Sequence, residues 1–164
     1  VDRRRFGEIR YSENWQSEPE FGLMGPEPLN GVMNGEYLKN QFMKRGSAVH
    51  SLLLNQNIVS GIGNIYASEA LFGAGIRPGR KAGKLVRTDL DRLCIHIRKS
   101  LQISIANRGY SMSTYVDTMG KKGRAQLFTK VYGKEGDPCS KCGNVIKRVT
   151  ISGRSAFYCP MCQK

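Results

Sequence analysis

Cys139-Ser-Lys-Cys142 is followed by sixteen residues and then by Cys159-Pro-Met-Cys162. Each C-x2-C knuckle puts two thiols on one tight turn, and two such turns complete a tetrahedron of sulfur ligands. Lys141, Gly143 and Pro160 suit the turns, and basic neighbours favour the thiolate form. A pair of disulfides, or four unrelated cysteines, are the other readings of the spacing. The knuckles predict one structural Zn2+ held by Cys139, Cys142, Cys159 and Cys162. All four positions on the metal are then taken, so the ion has no part in chemistry.

Working outward, residues 145–151 and 154–158 lie between the knuckles and read as a hairpin turning at Ser152-Gly153. Residues 128–133 read as a strand leading into it. The remaining cysteine, Cys94, sits in an apolar helical pattern and is expected as a buried free thiol. Cysteines used this way fit a reducing, intracellular compartment.

The chain has 164 residues, room for one medium domain and a small one. Its 26 Lys and Arg against 13 Asp and Glu leave a formal charge of +13, which points to a polyanion and above all to nucleic acid. No apolar run is long enough to span a membrane. The opening, Val1-Asp-Arg-Arg-Arg-Phe-Gly7, lacks an initiator Met, and residues 6–11 alternate like a strand that needs a partner. The chain reads as a piece of a longer protein.

Between these ends the pattern is helical. Residues 13–34 read as loop, with Pro19, Pro26 and Pro28. A helix is expected over residues 36–44, with Tyr37, Leu38, Phe42 and Met43 on its apolar side. Ser47 is placed to cap a second helix running to residue 54, where Val49, Leu52 and Leu53 share a face. A glycine-rich double turn over residues 55–63 separates it from a third helix over residues 64–72, ended by Gly73 and Gly75. Thr88 and Asp91 have the spacing of a capping box that opens the longest helix. Leu90, Leu93, Cys94, Ile97 and Leu101 form its stripe, with Ile105 close by. Residues 111–126 are polar, basic and expected to be mobile.

Gly61-Ile-Gly-Asn64 falls where the double turn meets a helix start. Free backbone N–H groups and the positive helix end make a phosphate seat there, and Gly63 lets the phosphate come close. Asn64 has two readings: its amide donates to a phosphate oxygen, or it caps its own helix.

Leu52-Leu-Leu-Asn-Gln, Gly61-Ile-Gly-Asn-Ile-Tyr-Ala-Ser-Glu-Ala-Leu-Phe72 and Ala74-Gly-Ile-Arg-Pro78 together resemble the helix-two-turn-helix of formamidopyrimidine-DNA glycosylases, to which the endonuclease VIII family is a sister. The resemblance continues through Val131-Tyr-Gly-Lys-Glu-Gly-Asp-Pro-Cys139 into the terminal finger, and Asp2-Arg-Arg-Arg-Phe-Gly7 resembles the end of the family's N-terminal β-sandwich. The motifs keep the family's order along essentially the whole chain.

The resemblance implies a mainly α fold: a helix-two-turn-helix bundle, a C-terminal β-hairpin zinc finger, and a short N-terminal strand remnant of a β-sandwich domain. The expected divisions are residues 1–30 for the sandwich end and linker, 31–130 for the DNA-binding bundle with a lesion-capping loop near 111–127, and 131–164 for the finger. The implied partner is double-stranded DNA with a damaged base or abasic site, bound by a monomer. Asn64 and Arg154 match positions that pinch the strand so that the damaged nucleotide flips out. Arg148 matches a further phosphate contact, and Tyr132 a backbone-contacting position. Phe6 matches a residue that wedges into the base stack, and Arg4 one that bonds the orphaned base.

The family reacts through an N-terminal Pro, whose amine attacks the sugar C1′ to form an iminium, and an adjacent Glu that moves protons before the strand is cut by elimination. This chain has no such start. Val1 is rejected as a substitute nucleophile, because it directly precedes the interior Arg-Arg-Phe-Gly motif. Three further departures stand out. Asn55-Gln56 replaces the usual Asp-Gln, His50 replaces a usual Lys, and Gly123-Arg-Ala-Gln126 carries Ala125 where an aromatic residue is usual. His50 is expected as a partly buried polar residue, or as a weak phosphate contact. The leading expectation is therefore the DNA-binding half of a bifunctional glycosylase/AP lyase acting on 8-oxoguanine and formamidopyrimidine, with its catalytic Pro-Glu domain elsewhere. The alternatives are a stand-alone, non-catalytic zinc-finger module binding nucleic acid, or an endonuclease VIII-like half acting on oxidised pyrimidines.

Overall fold

Hydrogen-bond demand at the ends of short helices decides much of the architecture. The computed structural model describes residues 11–14, 18–111, 116 and 119–164. Arg4, Phe6, nearly all of the strand expected over residues 6–11, and part of the expected capping loop lie outside these residues. A single helical turn, α1 (Pro19–Gly22), interrupts the predicted loop. Helix α2 (Gly35–Phe42) starts where Asn34 Oδ1 accepts from Tyr37 N at 2.8 Å, so the cap lies upstream of the expected start. Leu38 and Phe42 are buried, but Met43 falls just past the helix and is 53% exposed.

Helix α3 (Val49–Leu53) has no side-chain cap. Ser47 does not serve as one. Its carbonyl accepts from Ala82 N at 3.0 Å, and the neighbouring Ala48 forms an isolated bridge with Lys81. That pairing uses extended backbone, so the helix starts one residue later than expected. Val49, Leu52 and Leu53 share the buried face as predicted.

Helix α4 (Asn64–Ala74) runs through Gly73 and stops at Gly75, whose φ of 71° is the left-handed conformation that ends helices. Gly73 is not a stop but a contact point: a Cβ there would lie 2.3 Å from His96 Nδ1 on the next helix. Helix α5 (Arg87–Ala106) packs along α4 and also covers α2. The expected capping box does not form, because Thr88 is already helical and Asp91 instead accepts from Arg87 Nε at 3.0 Å. The α5 stripe is Leu90, Leu93, Cys94 and Ile97, and it continues through Ser104, which bonds the Tyr66 hydroxyl at 2.8 Å. Ile105 lies off this line and is 67% exposed. Among the described residues no helix is long and apolar enough to cross a membrane.

Residues 128–133 do not form the expected strand. A 3-10 turn occupies Ala125–Phe128. The following N–H groups have no sheet partner and converge on one carboxylate. Glu69 of α4 accepts from Lys130 N at 2.8 Å, Val131 N at 2.9 Å and Tyr132 N at 2.8 Å. The expected mobile segment is likewise stitched down at its far end. Gly123 N donates to Ser111 Oγ at 2.7 Å, and Arg124 N donates to Asn107 O at 2.8 Å.

The finger carries strands β1 (Lys147–Ile151) and β2 (Arg154–Tyr158), antiparallel, with Ile151 opposite Arg154. Ser152 and Gly153 both have positive φ, 49° and 75°, the backbone of the two-residue turn that matches strand twist. Strand β1 begins two residues later than predicted, because Val145 bridges Pro138 beside the first knuckle. The finger is docked on the helices: Arg77 N donates to Lys164 O at 3.0 Å, and Gln163 Nε2 to Ile76 O at 2.8 Å. Phe72 of α4 completes the finger's own apolar cluster with Val131, Ile146, Cys139 and Cys159.

Glu69 is therefore one of the ties between bundle and finger. Replacing it with Gln leaves only one acceptor oxygen and turns an N–H towards another N–H. Glu69→Gln is expected to cost about 1–3 kcal/mol of stability. Hydrogen exchange at residues 130–132 should rise ahead of exchange in α5. Unchanged protection there would show that the carboxylate is not the anchor.

Candidate nucleic-acid interface

Helix α4 opens on Gly63, with no side chain capping its first turn. Asn64 is the first helical residue, so the cap reading of Asn64 does not hold. The amide groups at the start of α4 are left facing outward, at the positive end of an eleven-residue helix. Gly63 has an ordinary φ of −101° and open space where a Cβ would stand. Its backbone does not demand glycine. What the missing side chain gives is access. A cleft of about 360 Å³ lies there, lined by Gly63, Asn64, Ile65, Tyr66, Gly109 and Tyr110.

The double turn that aims this helix end is braced by Gln56. Its Oε1 accepts from Gly61 N at 2.8 Å, and its Nε2 donates to Ile62 O at 3.1 Å. Gly61 needs its glycine, with φ at 76°. Asn55 closes a local turn by accepting from Asn57 N at 3.0 Å, work that its neutral amide does as well as a carboxylate.

Asn64 also reaches across to the finger. Its Nδ2 donates to Ser155 O on β2 at 2.8 Å, and its Oδ1 lies 2.9 Å from His50 Nε2. Ser51 and Ser152 meet hydroxyl to hydroxyl at 2.9 Å nearby. Arg154 is exposed, at the end of β2 beside the hairpin turn, and its guanidinium has no ion-pair partner among the described residues. It lines a cleft of about 180 Å³ with Ser51, Leu54, Asn55, Ile151 and Ser152. The sequence-predicted pair thus sits together: Asn64 holds the residue next to Arg154.

Arg148 and Tyr132 are more engaged. Arg148 Nε pairs with Glu135 Oε2 at 2.9 Å, an exposed ion pair of small worth. Tyr132 packs edge-on against Phe157, with ring centroids 5.0 Å apart. Ala125 is fully buried beneath Gly109, whose carbonyl accepts from Ala125 N at 3.1 Å. Residue 125 acts here as a small packing residue. His50 is buried more deeply than expected, with no exposed surface. Burial pushes its pKa below the ordinary histidine value, and Arg154 adds to the fall against the opposing hydrogen bond from Asn64.

The four cysteine sulfurs all lie within 4.8 Å of one another, with Cys139 to Cys162 at 3.9 Å and Cys142 to Cys159 at 3.5 Å. Tetrahedral zinc with Zn–S bonds of about 2.3 Å needs sulfurs about 3.8 Å apart. The set fits Zn2+. Burial pushes the Cys139 thiol up, but N–H groups of Lys141 and Cys142 and the neighbouring thiols outweigh it, and its pKa falls to about 7. Cys94 is the buried free thiol expected, with burial pushing its pKa up to about 11.

Residues 24–116 match the formamidopyrimidine-DNA glycosylase H2TH domain, and residues 136–164 match the zinc finger found in FPG and IleRS. The chain belongs to the formamidopyrimidine-DNA glycosylase family. It is 42% identical over 163 residues to the formamidopyrimidine-DNA glycosylase of Thiobacillus denitrificans, covering 99% of this chain and 60% of that protein. It is 43% identical to that of Novosphingobium aromaticivorans, covering 99% of this chain and 61% of the relative. Its fold superposes on the Thermus thermophilus MutM (FPG) protein with a TM-score of 0.84 at 33% identity, over 92% of this chain and 57% of that one. The Lactococcus lactis Fpg complex with abasic-site DNA gives a TM-score of 0.83 at 34% identity, over 91% and 55%. The chain therefore spans about three-fifths of the length of the curated relatives it matches.

In this member of the formamidopyrimidine-DNA glycosylase family, sequence reading missed three supporting side chains: Gln56, Glu69 and Ser51. Each acts by bonding backbone or a partner distant in sequence, and no local pattern marks such work. Zinc removal tests the metal's share. A chelator is expected to unfold residues 139–164 while α2–α5 keep their helicity, seen as lost finger amide peaks with most of the far-UV circular dichroism retained. A finger that survives metal removal would overturn the four-thiolate site.

Proposed function

We propose that this chain is the DNA-holding half of a base-excision-repair glycosylase/AP lyase that acts on oxidised bases. One observation supports this above the rest: the open N-terminus of α4 is hydrogen-bonded through Asn64 to the strand that carries Arg154, which has no ion-pair partner among the described residues. Two donors from separate elements are thereby tied together, and in this reading they grip neighbouring backbone phosphates. Arg154 supplies a charged, forked donor. Asn64 supplies the second N–H of its amide, the first being spent on Ser155. Phosphate contacts set position rather than sequence.

In this reading the chain grips and bends the strand, which lowers the cost of everting the damaged nucleotide. The amine nucleophile and its carboxylate belong to a β-sandwich domain with the family's Pro-Glu start. Arg4 and Phe6 fill the void left by the everted base, and Arg148 and Tyr132 add contacts along the finger, with Arg148 exchanging Glu135 for phosphate. Related proteins have been captured with Fapy-dG and abasic-site DNA, which supports oxidised purines and abasic sites as the lesions. The Zn2+ is structural and single.

The grip is tested by binding the chain to a duplex with an abasic analogue across a salt series. Arg154→Ala is expected to lose about 1.5–3 kcal/mol of binding, and its log–log salt slope should fall by about 0.9. Asn64→Ala should weaken binding whatever the flanking sequence. Wild-type affinity and slope in both variants would contradict the clamp.

A further inference from the structure

His50 is fully buried, yet one of its ring nitrogens, Nδ1, has no hydrogen-bond partner among the described residues. The other, Nε2, lies 2.9 Å from Asn64 Oδ1. An amide oxygen only accepts, so Nε2 must carry the proton. The opposite end of the same amide donates to Ser155 O at 2.8 Å. Each alternative arrangement sets like against like. A proton on Nδ1 leaves the Nε2 lone pair facing the Oδ1 lone pairs, and gives the buried Nδ1 a donor with no acceptor. Flipping the Asn64 amide repairs that contact but turns Oδ1 against the Ser155 carbonyl. One tautomer and one amide orientation satisfy both ends.

We propose that His50 is a positioning residue: its Nε2–H fixes the Asn64 amide so that Nδ2 is held on Ser155 O with its second N–H left for a phosphate. The proposal rests on reading Asn64 as a phosphate contact. It gives the His50 ring a task that a chain with Lys at this position would perform differently. It also joins the seat at α4 to Arg154, because the Ser155 carbonyl belongs to the residue next to Arg154.

The surroundings keep the ring uncharged. Asn64 faces it from α4, and Arg154 is the charged group that acts on it from β2. On the loop packed beside α3, the Pro78 carbonyl is taken by the His50 backbone N–H at 3.2 Å, and Arg80 is paired with Asp89 at 3.2 Å. Burial, followed by Arg154, disfavours protonation. The sign follows. With the folded pKa below the ordinary value of 6.5, the stability tied to neutral His50 is complete above that value and is lost as pH falls through the folded pKa.

Two measurements test the proposal. Long-range 15N–1H correlation on the zinc-loaded chain at pH 7.5 should show His50 as the Nε2-protonated tautomer. An Nδ1-protonated or charged ring would overturn it, whatever the DNA results. Binding to a duplex with an abasic analogue should be kept within about twofold by His50→Gln, whose amide N–H replaces Nε2–H. It should fall about tenfold in His50→Leu, as in Asn64→Ala, and no further in the double variant, because the two act as one unit. Additive losses would overturn the coupling. If His50→Leu does not fold, a large loss in the well-folded His50→Gln variant contradicts the proposal. Should Asn64→Ala bind DNA normally, the clamp itself fails, and the tautomer measurement still decides the hydrogen-bond geometry.

Discussion

Four sulfur atoms within 4.8 Å of one another hold the part of this molecule that cannot hold itself. The finger's apolar cluster is small, and one of its members, Phe72, is borrowed from α4. A unit of this size folds around metal rather than around a core. Once the knuckles are fixed, the hairpin between them has a defined height and twist. The turn at Ser152-Gly153 then places Arg154 at one defined point on the surface. Zinc held by the four cysteines would thus act at a distance, by setting where the Arg154 charge stands.

The second constraint is how finger and bundle stay in register. A flexible tether would let Arg154 and the α4 terminus drift apart. Instead, the segment into the finger is held by the Glu69 carboxylate, the C-terminal segment by Gln163 and Lys164, and the hairpin by Asn64 and Ser51. Asn64 and Glu69 are on α4 itself, and the Gln163 and Lys164 bonds fall just past its end. The helix is buried on most sides because it serves both as the wall of the bundle and as the platform for the finger. Asn64 is the tie that also stands at the open start of α4, so the geometry of the candidate site and the stability of the docking share one side chain.

Much of this was legible in the sequence. The knuckle spacing named the four ligands, and the hairpin turn was marked by Ser152-Gly153. The α4 start was marked by Gly63-Asn64, and Cys94 was placed in the core by helical spacing. What failed to read were contacts that leave no local trace. Residues 128–133 have the apolar character of a strand, but no strand pairs with them among the described residues, and Glu69 takes the N–H groups of residues 130–132 instead. Thr88 and Asp91 have the spacing of a capping box, but Arg87 competes for the carboxylate. Ser47 has the right side chain for a cap, and extended pairing with residues 80–82 claims its backbone. His50 was expected as a partly buried polar residue or a weak phosphate contact, and it is fully buried. Its ring bonds Asn64, which in turn bonds Ser155 of the finger, and partners so far apart in sequence leave no local trace.

The clamp is tested most directly by neutralising DNA phosphates one at a time with methylphosphonates around an abasic analogue and measuring binding to this chain. Two donors held side by side predict that the large losses fall on neighbouring phosphates of one strand. Arg154→Ala should then become indifferent to neutralisation at its own phosphate. Losses spread evenly over both strands, or an Arg154→Ala profile identical to wild type, would contradict the clamp.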